Sequence, residues 1–220
     1  ISDLAAVKHV VCNAPNAIKA LVQWGVEFDK NGKGEYDLHR EGGHSDFRIL
    51  HHADDTGFEI QRGLMAAVRK NENITVLENH YAVEIITQHH LGVQVTRKTP
   101  DIECYGAYIL NPETQKVDTF LSKVTLMATG GCGAVYGTTS NPSIATGDGV
   151  AMVYRAKGTV ADMEFVQFHP TVLYNPKETR PAFLITEAMR GYGGILRLPN
   201  GDEFMQKYDE RLSLAPRDIV

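Results

Sequence analysis

The sequence predicts an α/β chain with α+β elements, and three observations carry that prediction. Helical periodicity marks residues 3–24 and 57–70, and strand-like periodicity takes over from residue 74. A continuous apolar run, VTLMA at 124–128, then stops on Gly130-Gly131 before helical spacing returns at 147–157. A run of that kind suits a strand buried on both faces.

The elements follow in order. Residues 3–12 and 15–24 read as two short helices broken at Asn13-Ala14-Pro15, because proline suits a first helical turn. Ile18, Leu21, Val22 and Trp24 give the second an apolar stripe, and Gly25 closes it. A polar, glycine-rich loop runs to residue 46. The next helix spans 57–70, with Thr56 and Glu59 in capping-box spacing and Ile60, Leu64, Ala67 and Val68 on one face. Strand patterns follow at 74–78, 82–87, 93–98, 105–111 and 117–129, the middle ones forming an antiparallel β-meander. After the 147–157 helix come a strand at 159–168, a short helix at 183–190, a hairpin at 193–205 and the start of a helix at 215–220.

Composition narrows the function. The 220 residues carry a net charge of -5 with no basic block, which disfavours nucleic acid as a partner. No apolar run approaches the ~20 residues that cross a bilayer, and no secretory pattern is visible, so neither membrane nor export is expected. Cys12, Cys104 and Cys132 are odd in number and far apart, as in a reducing compartment. His51-His52 and His89-His90 are adjacent pairs whose side chains diverge, so they read as surface or loop histidines and no metal site is expected.

Several stretches could carry chemistry. ATGGCG at 128–133 ends a strand on bare backbone, which serves either a nucleotide or a tight turn. Gly131-Cys132-Gly133 and Gly147-Asp148-Gly149 both lack the third glycine of a dinucleotide fingerprint. Asp148 is either a helix cap or an acceptor for sugar hydroxyls. His169, in FHPT, is either a packed histidine or part of a substrate pocket. Thr186-Glu187 reads as a solvated helix face, and Arg217-Asp218 as a surface ion pair. REGGHS at 40–45 is a further polar cluster.

In this order, ATGG, TGDG, EFVQFHPT, LITEAMRG and ERLSLAPRDIV resemble the succinate dehydrogenase, fumarate reductase and L-aspartate oxidase flavoproteins over nearly the whole chain. REGGHS and HHADDTG are most similar to the L-aspartate oxidase branch. The resemblance implies a Rossmann-type FAD-binding domain over 1–166, without its N-terminal βαβ unit. It also implies the beginning of an inserted α+β capping domain over 167–220, and a parent protein more than twice as long.

The resemblance implies roles as well. Tyr81, Ala82, Ala128, Thr129, Gly130 and Asp148 correspond to positions around FAD. Glu41, His169, Thr186, Glu187 and Arg217 correspond to the pocket for a four-carbon dicarboxylate. Arg217 matches the proton-transferring arginine, and Glu41 would meet the ammonium that L-aspartate has and succinate lacks. The implied reaction oxidises L-aspartate to iminoaspartate, with oxygen or fumarate as acceptor. It would take place in the cytoplasm, with quinolinate synthase as pathway partner in NAD biosynthesis. The runner-up is a soluble fumarate reductase or succinate dehydrogenase flavoprotein subunit. A third reading makes the truncated chain a structural module. One departure stands out: Tyr192 occupies the place of a glutamate in the family's RGEGG.

Overall fold

The computed structural model describes residues 2–175, 177 and 180–220. The chain is a mixture of α and β elements in two compact units, Ile1–Val76 with Thr186–Val220, and Leu77–Ile185.

In the first unit, α1 runs unbroken over Leu4–Gln23, so the break expected at Pro15 does not form. Proline removes the donor that would meet the Val11 carbonyl, yet the helix continues through it; one turn earlier the Asn13 side-chain amide donates to the His9 carbonyl at 2.8 Å. Asp3 caps the start, accepting from Ala5 and Ala6. Trp24 is the C-cap, and Gly25, at φ +93°, ends the helix as expected. The short strands β1 (Leu38–His39) and β2 (Ile49–Leu50) pair antiparallel. The helix α2 spans Thr56–Arg69.

The expected capping box of α2 is absent. Asp55 is the N-cap residue, and the Thr56 hydroxyl accepts from the His52 amide instead. Glu59 turns inward, is 4% exposed, and accepts from the Glu27 amide at 2.8 Å and twice from Arg62 at 2.6 Å. Gly63 permits this packing, because a Cβ there would lie 2.8 Å from a Val26 methyl. The Arg62 guanidinium, helped by the Glu27 amide, holds the Glu59 carboxyl down at about 2 from its ordinary 4.5. A depressed carboxyl stabilises the fold above its unfolded value and loses that contribution as pH falls through its folded value. The melting-temperature gap between wild type and Glu59→Gln is therefore expected to be widest above pH 4.5 and to close toward about 2. A gap independent of pH would contradict this.

The second unit is built on β3 (Tyr81–Thr87), β4 (Cys104–Asn111) and β5 (Lys116–Leu121), an antiparallel meander in the order β3-β4-β5. A bulge between Ala82 and Glu84 bends β3. Gly106 lies at φ +140° with its α-carbon against the Phe120 carbonyl, an approach that leaves no room for a side chain. The helix α3 spans Asp148–Arg155, and its Arg155 donates to Glu84 of β3 at 2.8 Å.

Other strand expectations fail. Residues 74–78, 93–98 and 159–168 form no ladder. The run VTLMA is not buried: Val124 is 83% and Leu126 87% exposed. Strand propensity reports fitness for a pleated surface, and these segments find no partner strand among the described residues. The helix expected at 183–190 shrinks to α4, Ala188–Gly191. The hairpin at 193–205 reduces to one bridge, Arg197–Glu203. Residues 215–220 form turns, closed by amides of Ile219 and Val220 donating to the Pro216 carbonyl.

Candidate functional site

The first unit gathers three segments. The loop 40–43 lies against α4 and against residues 213–216. Gly43 donates to the Leu214 carbonyl at 2.8 Å, and Gly42 to the Glu187 carbonyl at 3.4 Å. Two glycines make this close approach possible. A side chain at Gly191 would overlap the Arg40 carbonyl, and a Cβ at Gly42 would lie 2.9 Å from the Arg190 guanidinium carbon.

Glu187 stands at the centre and is buried, which corrects its reading as a solvated helix face. One carboxylate oxygen accepts from Arg190 at 2.5 Å, and the other accepts from Arg217. Arg217 thus pairs with Glu187 and is partly buried, whereas the sequence pointed to an ion pair with Asp218 at the surface. Arg190 is itself buried and donates to the Ser213 and Ala215 carbonyls at 3.0 and 2.9 Å. The site role of Arg190 was missed from sequence. Its spacing three residues after Glu187 on one helical turn was the available signal.

Glu41 sits in the loop between Arg40 and Gly42, half-buried. The Arg40 guanidinium lies over the Phe47 ring, 5.1 Å from its centre. Thr186 accepts from the Ala188 amide at 3.2 Å and is otherwise exposed. Tyr192 meets the edge of the His39 ring at 5.1 Å. Arg190 is committed to Glu187 and to backbone carbonyls, which leaves Arg217 and Arg40 as the guanidinium groups of this region suited to a ligand carboxylate.

His169 belongs to the second unit. Its Nδ1 is held by the Thr171 backbone, 3.2 Å from the amide and 2.9 Å from the carbonyl oxygen. The Thr171 hydroxyl in turn donates to the Ile185 carbonyl at 2.9 Å. The ring is thus fixed in orientation, and Nε2 remains for a ligand.

The same unit holds the other sequence-nominated positions. Tyr81 and Ala82 open β3. Ala128, Thr129 and Gly130 form an exposed extended turn, with Gly130 at φ +73°. Thr129 abuts Gly149 in the first turn of α3, where any side chain would collide with its hydroxyl. Gly147, not Asp148, is the N-cap of α3, at φ +79°, and its missing Cβ would lie 2.9 Å from that of Cys132. Asp148 is exposed and accepts from the Thr146 hydroxyl at 2.7 Å. A cavity of about 570 Å³ adjoins the same helix, lined by Cys132, Tyr136, Gly147 and Val150 among others. Bare backbone, a helix N-terminus and an exposed acceptor together fit a nucleotide cofactor rich in hydroxyls.

Bare glycine backbone beside a helix N-terminus suits a nucleotide cofactor, and the family match puts the chain among flavoproteins. The chain belongs to the FAD binding domain family, whose model matches residues 1–220. It is 47% identical to L-aspartate oxidase 2-b, chloroplastic, of Nicotiana tabacum over its whole length, covering 34% of that protein. It is 48% identical to the L-aspartate oxidase of Acinetobacter baylyi, again over its whole length, covering 39% of it. An E. coli quinol fumarate reductase superposes with a TM-score of 0.82 at 28% identity, over 97% of this chain and 36% of that one. The chain therefore spans about 34–40% of the length of these relatives. No helix among the described residues is long and apolar enough to cross a membrane.

Proposed function

We propose that the intact protein is an FAD-dependent L-aspartate oxidase. The observation that carries this reading is the cluster Arg217–Glu187–Arg190, held beside the Arg40-Glu41 loop. Residues 1–166 belong to the FAD-binding domain, of Rossmann type, and residues 167–220 open its capping domain. On that division, loop 40–43 and residues 187–216, which touch within the first unit, come from different domains.

FAD, when bound, supplies the two-electron acceptor. Asp148 would accept hydrogen bonds from its hydroxyls, while the bare backbone of 128–130 and the start of β3 flank it. The chain's own residues do the rest. Arg217 and Thr186 bind substrate carboxylate. Arg217 also moves the proton at its guanidinium. A guanidinium is a poor base alone, so a carboxylate must hold its charge and pass the proton on. Glu187 occupies that position, and Arg190 fixes Glu187 from its other oxygen. Glu41 takes the substrate ammonium, since a charge leaving water requires a partner. L-Aspartate loses two electrons and two protons and becomes iminoaspartate, with oxygen or fumarate as the final acceptor. The setting is cytoplasmic, and a quinolinate synthase would consume the product.

The test is product formation by the full-length protein loaded with FAD. Oxaloacetate and ammonia, from hydrolysis of the imine, are expected from L-aspartate, with no turnover of succinate. Oxidation of succinate but not L-aspartate would favour a fumarate reductase or succinate dehydrogenase subunit, as the E. coli likeness permits. Turnover of neither by a flavin-loaded protein would overturn the reading.

A further inference from the structure

We propose that Asp37, His39 and His51 form a binding site for a divalent transition-metal ion of the zinc class, separate from the redox site. The inference begins with the backbone. β1 and β2 pair Leu38 with Leu50 and His39 with Ile49, which brings Asp37 and His51 side by side at the end of the ladder. Asp29 extends this ribbon: its amide donates to the His51 carbonyl at 2.9 Å, and its carbonyl accepts from the Asp37 amide at 3.0 Å. Asp37 and His39 are two residues apart on a strand and project to the same face.

The side chains converge. The His51 and His39 Nε2 atoms lie 3.5 and 3.8 Å from the same oxygen, Oδ2 of Asp37. One donor atom from each residue falls within 4.8 Å of the others. These separations are too long for hydrogen bonds. They are close to the spacing of about 3.4 Å between donors that share a tetrahedral zinc ion. His51 is 7% exposed, and neither of its ring nitrogens has a hydrogen-bond partner among the described residues. A buried imidazole left in that state calls for an explanation, and a bound cation at Nε2 supplies one.

The surroundings match a metal site. Asp29 Oδ2 lies 3.3 Å from His51 Nδ1 and is fixed by the Ala53 amide at 2.7 Å. A carboxylate behind the second nitrogen is the usual support of a ligating histidine. Two imidazoles and one carboxylate favour zinc or cobalt over calcium or magnesium. Three protein ligands leave one position for water. The His39 and His51 rings stack at 3.3 Å, so binding would need a small rotation of one ring to converge both lone pairs. His39 lies two residues before Glu41, so the ion acts as a structural tie at the base of the loop that presents Glu41.

The spacing argument against adjacent histidines still holds for each pair taken alone. His51 finds its partner across the ribbon instead, in His39, and is not the surface histidine expected from sequence.

The test is a titration of the full-length, chelator-stripped protein with Co²⁺, followed as visible difference spectra against the metal-free protein. The expected result is one equivalent bound, with the intense bands of four-coordinate cobalt, displaced by Zn²⁺. His39→Gln and His51→Gln should each abolish the bands, and Asp29→Asn should weaken binding by ~10–100-fold. His51 is buried and its variant could misfold. Asp37→Asn, at an exposed carboxylate, therefore repeats the test with circular dichroism as the folding control. His89→Gln should bind as wild type does. Absence of saturable binding, or binding that persists in both the His39 and Asp37 variants, would overturn the proposal.

Discussion

Replacing Glu187 with glutamine in the full-length enzyme is expected to lower kcat by ~10²–10⁴-fold, the range associated with loss of a positioned proton-transfer group. Glu187 is the only described carboxylate that bridges Arg190 and Arg217. Glutamine keeps the shape and one acceptor but removes the charge. Arg217 then loses the anion it pairs with, which in the proposed mechanism receives its proton. Arg190, 4% exposed, keeps the Ser213 and Ala215 carbonyls but no counter-charge. Deleting one partner of a buried ion pair costs about 3–5 kcal/mol, and the retained acceptor places glutamine toward the lower end. The thermal midpoint should therefore fall together with the rate. Single-turnover kinetics separate the two effects, because a folded fraction with unchanged chemistry would show the wild-type rate at reduced amplitude. A full rate in the folded enzyme would remove Glu187 from proton transfer.

The folded elements that sequence made legible are those whose periodicity is satisfied within the chain. The α2 stripe and the α3 pattern appear within a few residues of their expected places, and 82–87 and 105–111 pair as β3 and β4, but the expected strand at 93–98 is absent from the meander and its third strand is Lys116–Leu121, eight residues shorter at its end than expected. The failures have separate physical causes. Pro15 lies inside α1 because the loss of one backbone donor does not by itself end a helix that is capped at Asp3 and closed at Trp24. Residues 124–128 carry a strand-like apolar pattern, yet such a pattern forms a ladder only where a neighbouring strand is present. Glu59 looked like a capping residue because its spacing from Thr56 is right. It is instead drawn to the Glu27 amide and to Arg62, contacts whose first member is 32 residues distant.

The site shows the same division. Each of Glu41, Glu187 and Arg217 was nominated by its motif, but their grouping depends on Gly42, Gly43 and Gly191, which let the backbone segments touch. Arg190 escaped notice because an arginine on a helix is ordinarily exposed, and only tertiary burial reveals its tie to Glu187. The pairing of His39 with His51 crosses a ribbon whose register a local reading does not fix.

The second large effect concerns substrate choice and tests the central claim most directly. L-Aspartate and succinate differ by one ammonium group, and Glu41 is the carboxylate assigned to it. Glu41→Gln in the full-length enzyme retains side-chain volume while leaving that ammonium without a counter-charge. Truncating one partner of a buried charge pair typically costs about 2–5 kcal/mol, so kcat/KM for L-aspartate should fall by ~30–5,000-fold. Fumarate carries no amino group, and its reduction should continue at close to the wild-type rate. The decisive measurement sets these two activities side by side in one preparation of Glu41→Gln with its flavin content verified. Loss of L-aspartate oxidation with fumarate reduction preserved is the predicted result. An equal fall in both activities, or no fall in either, would contradict it.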